Sequence, residues 1–187
     1  MRILALDVAT NTGICVGDTG AAPRAWTVNL GEAPDRGRLS KEDKERLDAR
    51  RFSNALQMTH GLILRNSPDL IVVEAPIGGR EANAYLIGLV ACIRGCAFNQ
   101  GVHCITAHES TVRKHFLGKA YRTADFPTLK KADAKVAIKR LVEGRCRLLG
   151  WDPETLDEAD AMAIWEWACA TQVPGYQSAP LGGLFNE

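Results

Sequence analysis

Asp7 interrupts what would otherwise be a wholly apolar strand. The run Ile3-Leu4-Ala5-Leu6-Asp7-Val8 has the composition and length of a buried strand. A second run of that kind, residues 69–75 (DLIVVEA), ends at Glu74 just before Pro76. Near the C-terminus, Asp157 and Asp160 lie on a helical segment, and a spacing of three puts them on neighbouring turns of one face. The apolar stripe of that segment is Leu156, Ala159, Ala163, Ile164 and Trp167, and Asp160 falls within it. A carboxylate in such a place must be paired, protonated or metal-bound, because unpaired burial costs several kcal/mol. No Lys or Arg lies near these acids in sequence to act as a local partner. If the strands of Asp7 and Glu74 are neighbours and the last helix packs on them, four carboxylates meet, and they repel unless divalent cations neutralise them. Hard oxygen ligands at an open site suit Mg²⁺ or Mn²⁺. Taken singly, each signal has a plainer reading: a turn acid, a strand terminus, a solvated helix face. Together they point to a metal site.

The chain of 187 residues, 46% hydrophobic, can bury a sizeable core, which excludes a disordered tail or a disulfide-stapled miniprotein. No apolar run approaches the ~20 residues of a membrane span, and the opening run is too short for a signal peptide. A cytoplasmic protein with no membrane association is expected. The six cysteines contain no CxxC pair, so they read as core thiols rather than a structural zinc site. Net charge is +1, but it is unevenly spread: residues 108–150 carry 11 Lys/Arg against 4 Asp/Glu, and residues 151–187 carry 7 acids and no Lys or Arg. A basic block beside an acidic one fits either a polyanion contact next to a cation site or two solvated helix faces of opposite sign.

The coarse pattern predicts strands at 2–8, 14–17 and 25–30, with Asn11-Thr12-Gly13 as a turn. A long helix follows, with Ser40 as N-cap and Ser67-Pro68 as its end. Then come a strand at 69–75, a helix at 82–99, a strand at 102–107, a short helix at 108–117, a loop at 118–129 and a basic helix at 130–149. The last helix is expected to open at Asp152-Pro153 and run to about residue 170. The expected architecture is α/β: a five-stranded mixed sheet, an antiparallel meander plus parallel strands, with helices on both faces, an order that resembles the ribonuclease H-like fold. Residues 1–172 would form one domain and 173–187 an irregular tail.

These motifs resemble the RuvC family of Holliday junction resolvases, its bacteriophage or phage-like members included. The opening strand with Asp7 and Thr12-Gly13, the run Ile71-Val72-Val73-Glu74, Asn83 with Arg94-Gly95, and the closing Leu156-Asp157-Glu158-Ala159-Asp160-Ala161-Met162-Ala163 carry the likeness, which spans about residues 1–170. The resemblance implies a crossover junction endonuclease acting on branched DNA as a homodimer, with no nucleotide cofactor. Asp7, Glu74, Asp157 and Asp160 would be both its catalytic residues and its ligands for two Mg²⁺ ions, which Mn²⁺ can replace. Two such ions are the usual device for phosphodiester hydrolysis. Arg113 and Lys135 match positions of DNA-contacting lysines, and Lys114, Lys130, Lys131 and Lys139 would track phosphates beside them. Ile77 stands where the family often carries a stacking aromatic; with Arg80 it would meet the junction, and Tyr85 is an alternative base platform. The midsection match is looser, and substrate shape stays open. Flaps or forks are alternative substrates. A non-catalytic DNA-binding protein and an actin- or sugar-kinase-like ATP binder are rivals; the latter shares a strand Asp followed by a Thr/Gly turn. His108 and His115 are expected in surface or capping roles, and Trp165 and Trp167 in the core.

Overall fold

A computed structural model describes residues 1–32, 39–76 and 83–178. Strands β1 (Arg2–Asp7), β2 (Asn11–Asp18) and β3 (Arg24–Asn29) form the meander, followed by helix α1 (Lys41–Asn66), β4 (Leu70–Glu74), α2 (Ala84–Asn99) and β5 (His103–Ala107). The chain continues through α3 (Glu109–Leu117), a 3₁₀ turn (Thr123–Asp125), α4 (Lys131–Leu148) and α5 (Leu156–Gln172). The five strands are ordered β3-β2-β1-β4-β5, with β1 at the centre. β1–β2 and β2–β3 pair antiparallel, whereas β1–β4 and β4–β5 pair parallel. No helix of the described residues is long and apolar enough to cross a membrane.

The period of two along each strand decides which layer a side chain joins. Ile3, Ala5, Leu70 and Val72 pack with α3, α4 and α5 on one face of the sheet. Leu4, Leu6, Ile71 and Val73 pack with α1 and α2 on the other. Continuing that alternation, Asp7 and Glu74 belong to the α5 face. The parallel register runs Leu6 opposite Val73, so both acids fall at the same C-terminal edge of the central strands.

α1 begins and ends as its sequence dictates. The Ser40 hydroxyl accepts from the Asp43 amide at 3.1 Å, and Ser67 closes the helix in the left-handed conformation (φ 45°). Two expectations change. Asn11-Thr12-Gly13 is not a turn but the first part of β2, paired with β1 so that Gly13 stands opposite Asp7. Gly13 is there for clearance: a Cβ on it would lie 2.0 Å from the Asp157 carbonyl oxygen. The last helix opens at Thr155, not at Asp152-Pro153. The Thr155 hydroxyl accepts from the Glu158 amide at 3.1 Å, and the buried Glu158 carboxylate accepts from the Glu154 amide at 2.7 Å. That is a Thr-x-x-Glu capping arrangement, and it prevails because it satisfies backbone donors that Asp152 would leave open.

Trp165 is buried and donates from Nε1 to the Gly17 carbonyl at 3.3 Å, while Trp167 is half-buried against the same core. The cysteines are free thiols. The described part of the expected loose tail is packed: Val173 and Tyr176 lie on the α5-side core, and the Ser178 hydroxyl is 3.4 Å from His115 Nε2.

Candidate active site

Asp7, Glu74 and Asp160 line one cleft of about 510 Å³ at the C-terminal edge of β1 and β4. The sheet supplies the first two by alternation, and α5 supplies the others. Because Gly13 offers no side chain, the first turn of α5 rests directly on β2 opposite Asp7. Asp157 and Asp160 are thereby carried to the sheet edge.

All four acids come together, and a lysine stands among them. Lys139 Nζ on α4 lies 2.7 Å from Asp157 Oδ1, 2.9 Å from Asp160 Oδ2 and 3.8 Å from Asp7 Oδ2. This corrects two expectations. The acids do have a basic partner, delivered by tertiary packing rather than by sequence proximity. Lys139 points into the acid cluster rather than only along the surface of the basic helix.

The electrostatics follow from burial. Asp7 is 7% exposed, and desolvation, then a hydrogen bond shared with Glu74 and that residue's charge, push its carboxyl well above the ordinary range. Glu74 is also raised, chiefly by desolvation, while the bond with Asp7 opposes the rise. The shared hydrogen bond thus pulls the two in opposite directions, raising Asp7 and lowering Glu74. Burial and the Asp7 charge push Asp160 up to about 6, against the pull of Lys139 and Arg113. Burial opposes the charge on Lys139, but the fields of Asp160 and Asp7 and its hydrogen bonds to Asp157 and Asp160 hold the ammonium above its ordinary value.

Among the described residues no three His, Cys, Asp or Glu side chains stand ready as a metal cage; the acids converge on the ammonium instead. The donor set itself fits a hard divalent cation. It is all carboxylate oxygen, with the Asp7 and Asp160 side chains only 10% and 13% exposed.

The expected DNA-contacting residues divide. Lys131, Lys135 and Lys139 recur every four residues along α4 and line the cleft together with Arg113. Arg113 is largely covered, pairs with Glu109 at 2.5 Å, and its field reaches Glu74 and Asp160. Lys114 and Lys130 are exposed but do not line the cleft. Ile77 and Arg80 lie outside the described residues. Arg145 near the end of the same basic helix is buried and so is withdrawn from any phosphate contact at the surface. Tyr85 stacks on Phe52, and its hydroxyl is 3.2 Å from Thr10 Oγ1, so its ring is committed to packing beside α1. His115 is not a surface group either: its Nε2 meets the buried Glu166 carboxylate. Within the loop expected at 118–129, the Arg122–Asp125 turn brings Tyr121 and Arg122 to the cleft wall.

No protein-family model matches the chain, and no curated protein matches it. Solved structures do. Thermus thermophilus RuvC is 19% identical, with a TM-score of 0.56 over 88% of this chain and 90% of that one. The T. thermophilus RuvC structure in complex with a Holliday junction substrate is similar at 19% identity and a TM-score of 0.57, over 88% and 89% of the two chains. The yeast mitochondrial Holliday junction resolvase Ydc2 aligns at 12% identity and a TM-score of 0.49, over 87% and 75%. The first two establish the fold as RuvC-like and ribonuclease H-like.

Proposed function

We propose that this chain is a metal-dependent endonuclease that resolves four-way DNA junctions as a homodimer. The observation that carries the reading is the meeting of Asp7, Glu74, Asp157 and Asp160 beside a cleft walled by Arg113, Lys131 and Lys135. Its fold is that of a protein solved in complex with a Holliday junction substrate. Asp7, Glu74, Asp157 and Asp160 would hold two Mg²⁺ ions, with Mn²⁺ as a substitute, and the chemistry so supplied is water activation and stabilisation of the leaving 3′ oxygen. The chain's own residues do the rest. Arg113, Lys131 and Lys135 neutralise backbone phosphates at the cleft wall and fix the register of the strand. Asp7 and Glu74 are set by the rigid pairing of β1 and β4, so the oxygens that would hold the ions are fixed rather than mobile. The first turn of α5 against Gly13 keeps Asp157 and Asp160 at that same edge.

Cleavage of a synthetic four-way junction beside flap, fork and duplex controls tests the proposal. Paired nicks in the junction are expected in Mg²⁺, and preferential cutting of flaps or forks would reassign the substrate. Asp7→Asn should lower cleavage by at least about a thousandfold, since oxyanion and metal-ligand charges are worth several kcal/mol each, while melting and junction binding persist. Wild-type rates in Asp7→Asn would overturn the site assignment.

A further inference from the structure

We propose that the Lys139 ammonium is the resident counter-ion of the carboxylate cluster, and that a divalent cation enters by exchanging with it. The inference rests on the metal reading above and adds a moving part to it. Lys139 Nζ is within hydrogen-bond reach of Asp157 and Asp160 and 3.8 Å from Asp7. Two of the oxygens that would ligate a metal are thus already used. A small divalent ion needs carboxylate oxygens at roughly 2.0–2.1 Å. It cannot take Asp157 Oδ1 and Asp160 Oδ2 while an ammonium sits on both, because the two cations would face each other at close range in a desolvated site.

The displaced ammonium has somewhere to go. Its side chain is 31% exposed, on a flexible four-carbon stem. Lys135 and Lys131 stand about one and two turns back on the same face of α4, toward the cleft wall. Swung outward, Nζ joins them as a third phosphate-facing charge. A phosphate at the wall would therefore favour the outward lysine and so favour metal, and metal would favour phosphate by the same factor. In the metal-free chain Lys139 offsets part of the repulsion that would otherwise push α5 from the sheet edge.

Mn²⁺ binding to the full chain by calorimetry tests this with Lys139→Met and, as a charge-matched control, Lys135→Met. Lys139→Met should bind Mn²⁺ at least about fivefold more tightly than wild type, the lower end of typical coupling between sites. Lys135→Met should stay within about twofold, because its charge is at the wall. In wild-type protein, reductive methylation of Lys139 read by mass spectrometry should speed up when Mn²⁺ is added, while that of Lys135 should not. This labelling arm decides the matter even if Lys139→Met does not fold. Equal or weaker Mn²⁺ binding by a folded Lys139→Met, or unchanged Lys139 labelling in Mn²⁺-loaded wild type, overturns the exchange and leaves the metal site standing. Failure of both wild type and Lys139→Met to bind Mn²⁺ overturns the metal reading and the exchange with it.

Discussion

Asp160 shows how a single residue can be legible and incomplete at once. Its place within the apolar stripe of α5 marks it as a buried acid needing a partner, and Asp7 is marked in the same way inside β1. The partner, Lys139, is not legible locally: it lies twenty-one residues upstream of Asp160 in a helix whose other lysines are exposed, and only the packing of α4 on α5 turns it inward. The carboxyl of Asp160, raised to about 6 from 3.8, carries a stability consequence. Between those values the folded chain binds more protons than the unfolded one, so stability falls as pH rises through the window, and the loss is complete above it. The effect is on the order of 1–3 kcal/mol for Asp160 alone, with the raised Asp7 and Glu74 acting in the same direction. In EDTA, denaturant midpoints of wild type should therefore drop between pH 5 and pH 7 relative to Asp160→Asn, which lacks the titrating group. A wild-type midpoint that climbs over that interval relative to Asp160→Asn would contradict the burial of this carboxyl. Divalent cation at pH 7 should recover the lost stability, because binding to the folded state alone stabilises by mass action.

At the scale of elements, apolar composition marks β1 and β4 as buried strands, but their adjacency is only a condition in the sequence, and it is the parallel pairing of the two that meets it. The helix starts were less transparent. Asp152-Pro153 carries a conventional opening signal, yet Thr155 and Glu158 form the cap in fact, and their Thr-x-x-Glu spacing was present in the sequence to be found. Gly13 was ambiguous for a different reason: a glycine needed for a turn and one needed for close approach are the same letter. The close approach has a measurable cost if filled. In Gly13→Ala the new methyl would meet the Asp157 carbonyl at 2.0 Å, so α5 must shift at its first turn. Overpacking of this kind costs typically 1–3 kcal/mol. Junction cleavage should fall by much more than stability does, because Asp157 and Asp160 move with that turn; unimpaired kcat in Gly13→Ala would show that α5 does not depend on the contact. α4 offers the complementary test on binding. Lys135→Ala should weaken junction binding and flatten its dependence on log salt by about 0.9, one phosphate's worth. Lys130→Ala, exposed but away from the cleft, should change the slope less. Equal slopes for Lys135→Ala and wild type would return this face of α4 to a merely solvated one.

At the scale of the whole molecule, the proposed reaction asks for more than one chain provides. Resolving a four-way junction takes two symmetric cuts, and each chain brings one carboxylate cluster. A two-fold homodimer is the economical solution, since an isologous interface presents the same patch from both copies. Packing divides α2 in two. Leu89, Val90, Ile93, Cys96 and Ala97 are consumed by the core above β1 and β4, whereas Ile87 is 43% and Phe98 82% exposed. Phe98 stands at the C-terminal end of α2, beside the outer strand β5, in a shallow depression with Arg94 and Gly95. An apolar ring that size left in water is unfavourable by about 1.5–3 kcal/mol relative to burial, which a partner copy would recover. Phe98→Asp should accordingly shift the sedimentation-equilibrium mass toward one chain while leaving the melting of that chain, and Mn²⁺ binding at its cluster, close to wild type. On a mobile junction the two nicks should become uncoupled, with singly nicked product accumulating before resolved duplexes. Wild type sedimenting as one chain at concentrations that support paired nicking would place the second active site elsewhere than in a preformed dimer. Unchanged mass in Phe98→Asp would move the interface off this end of α2.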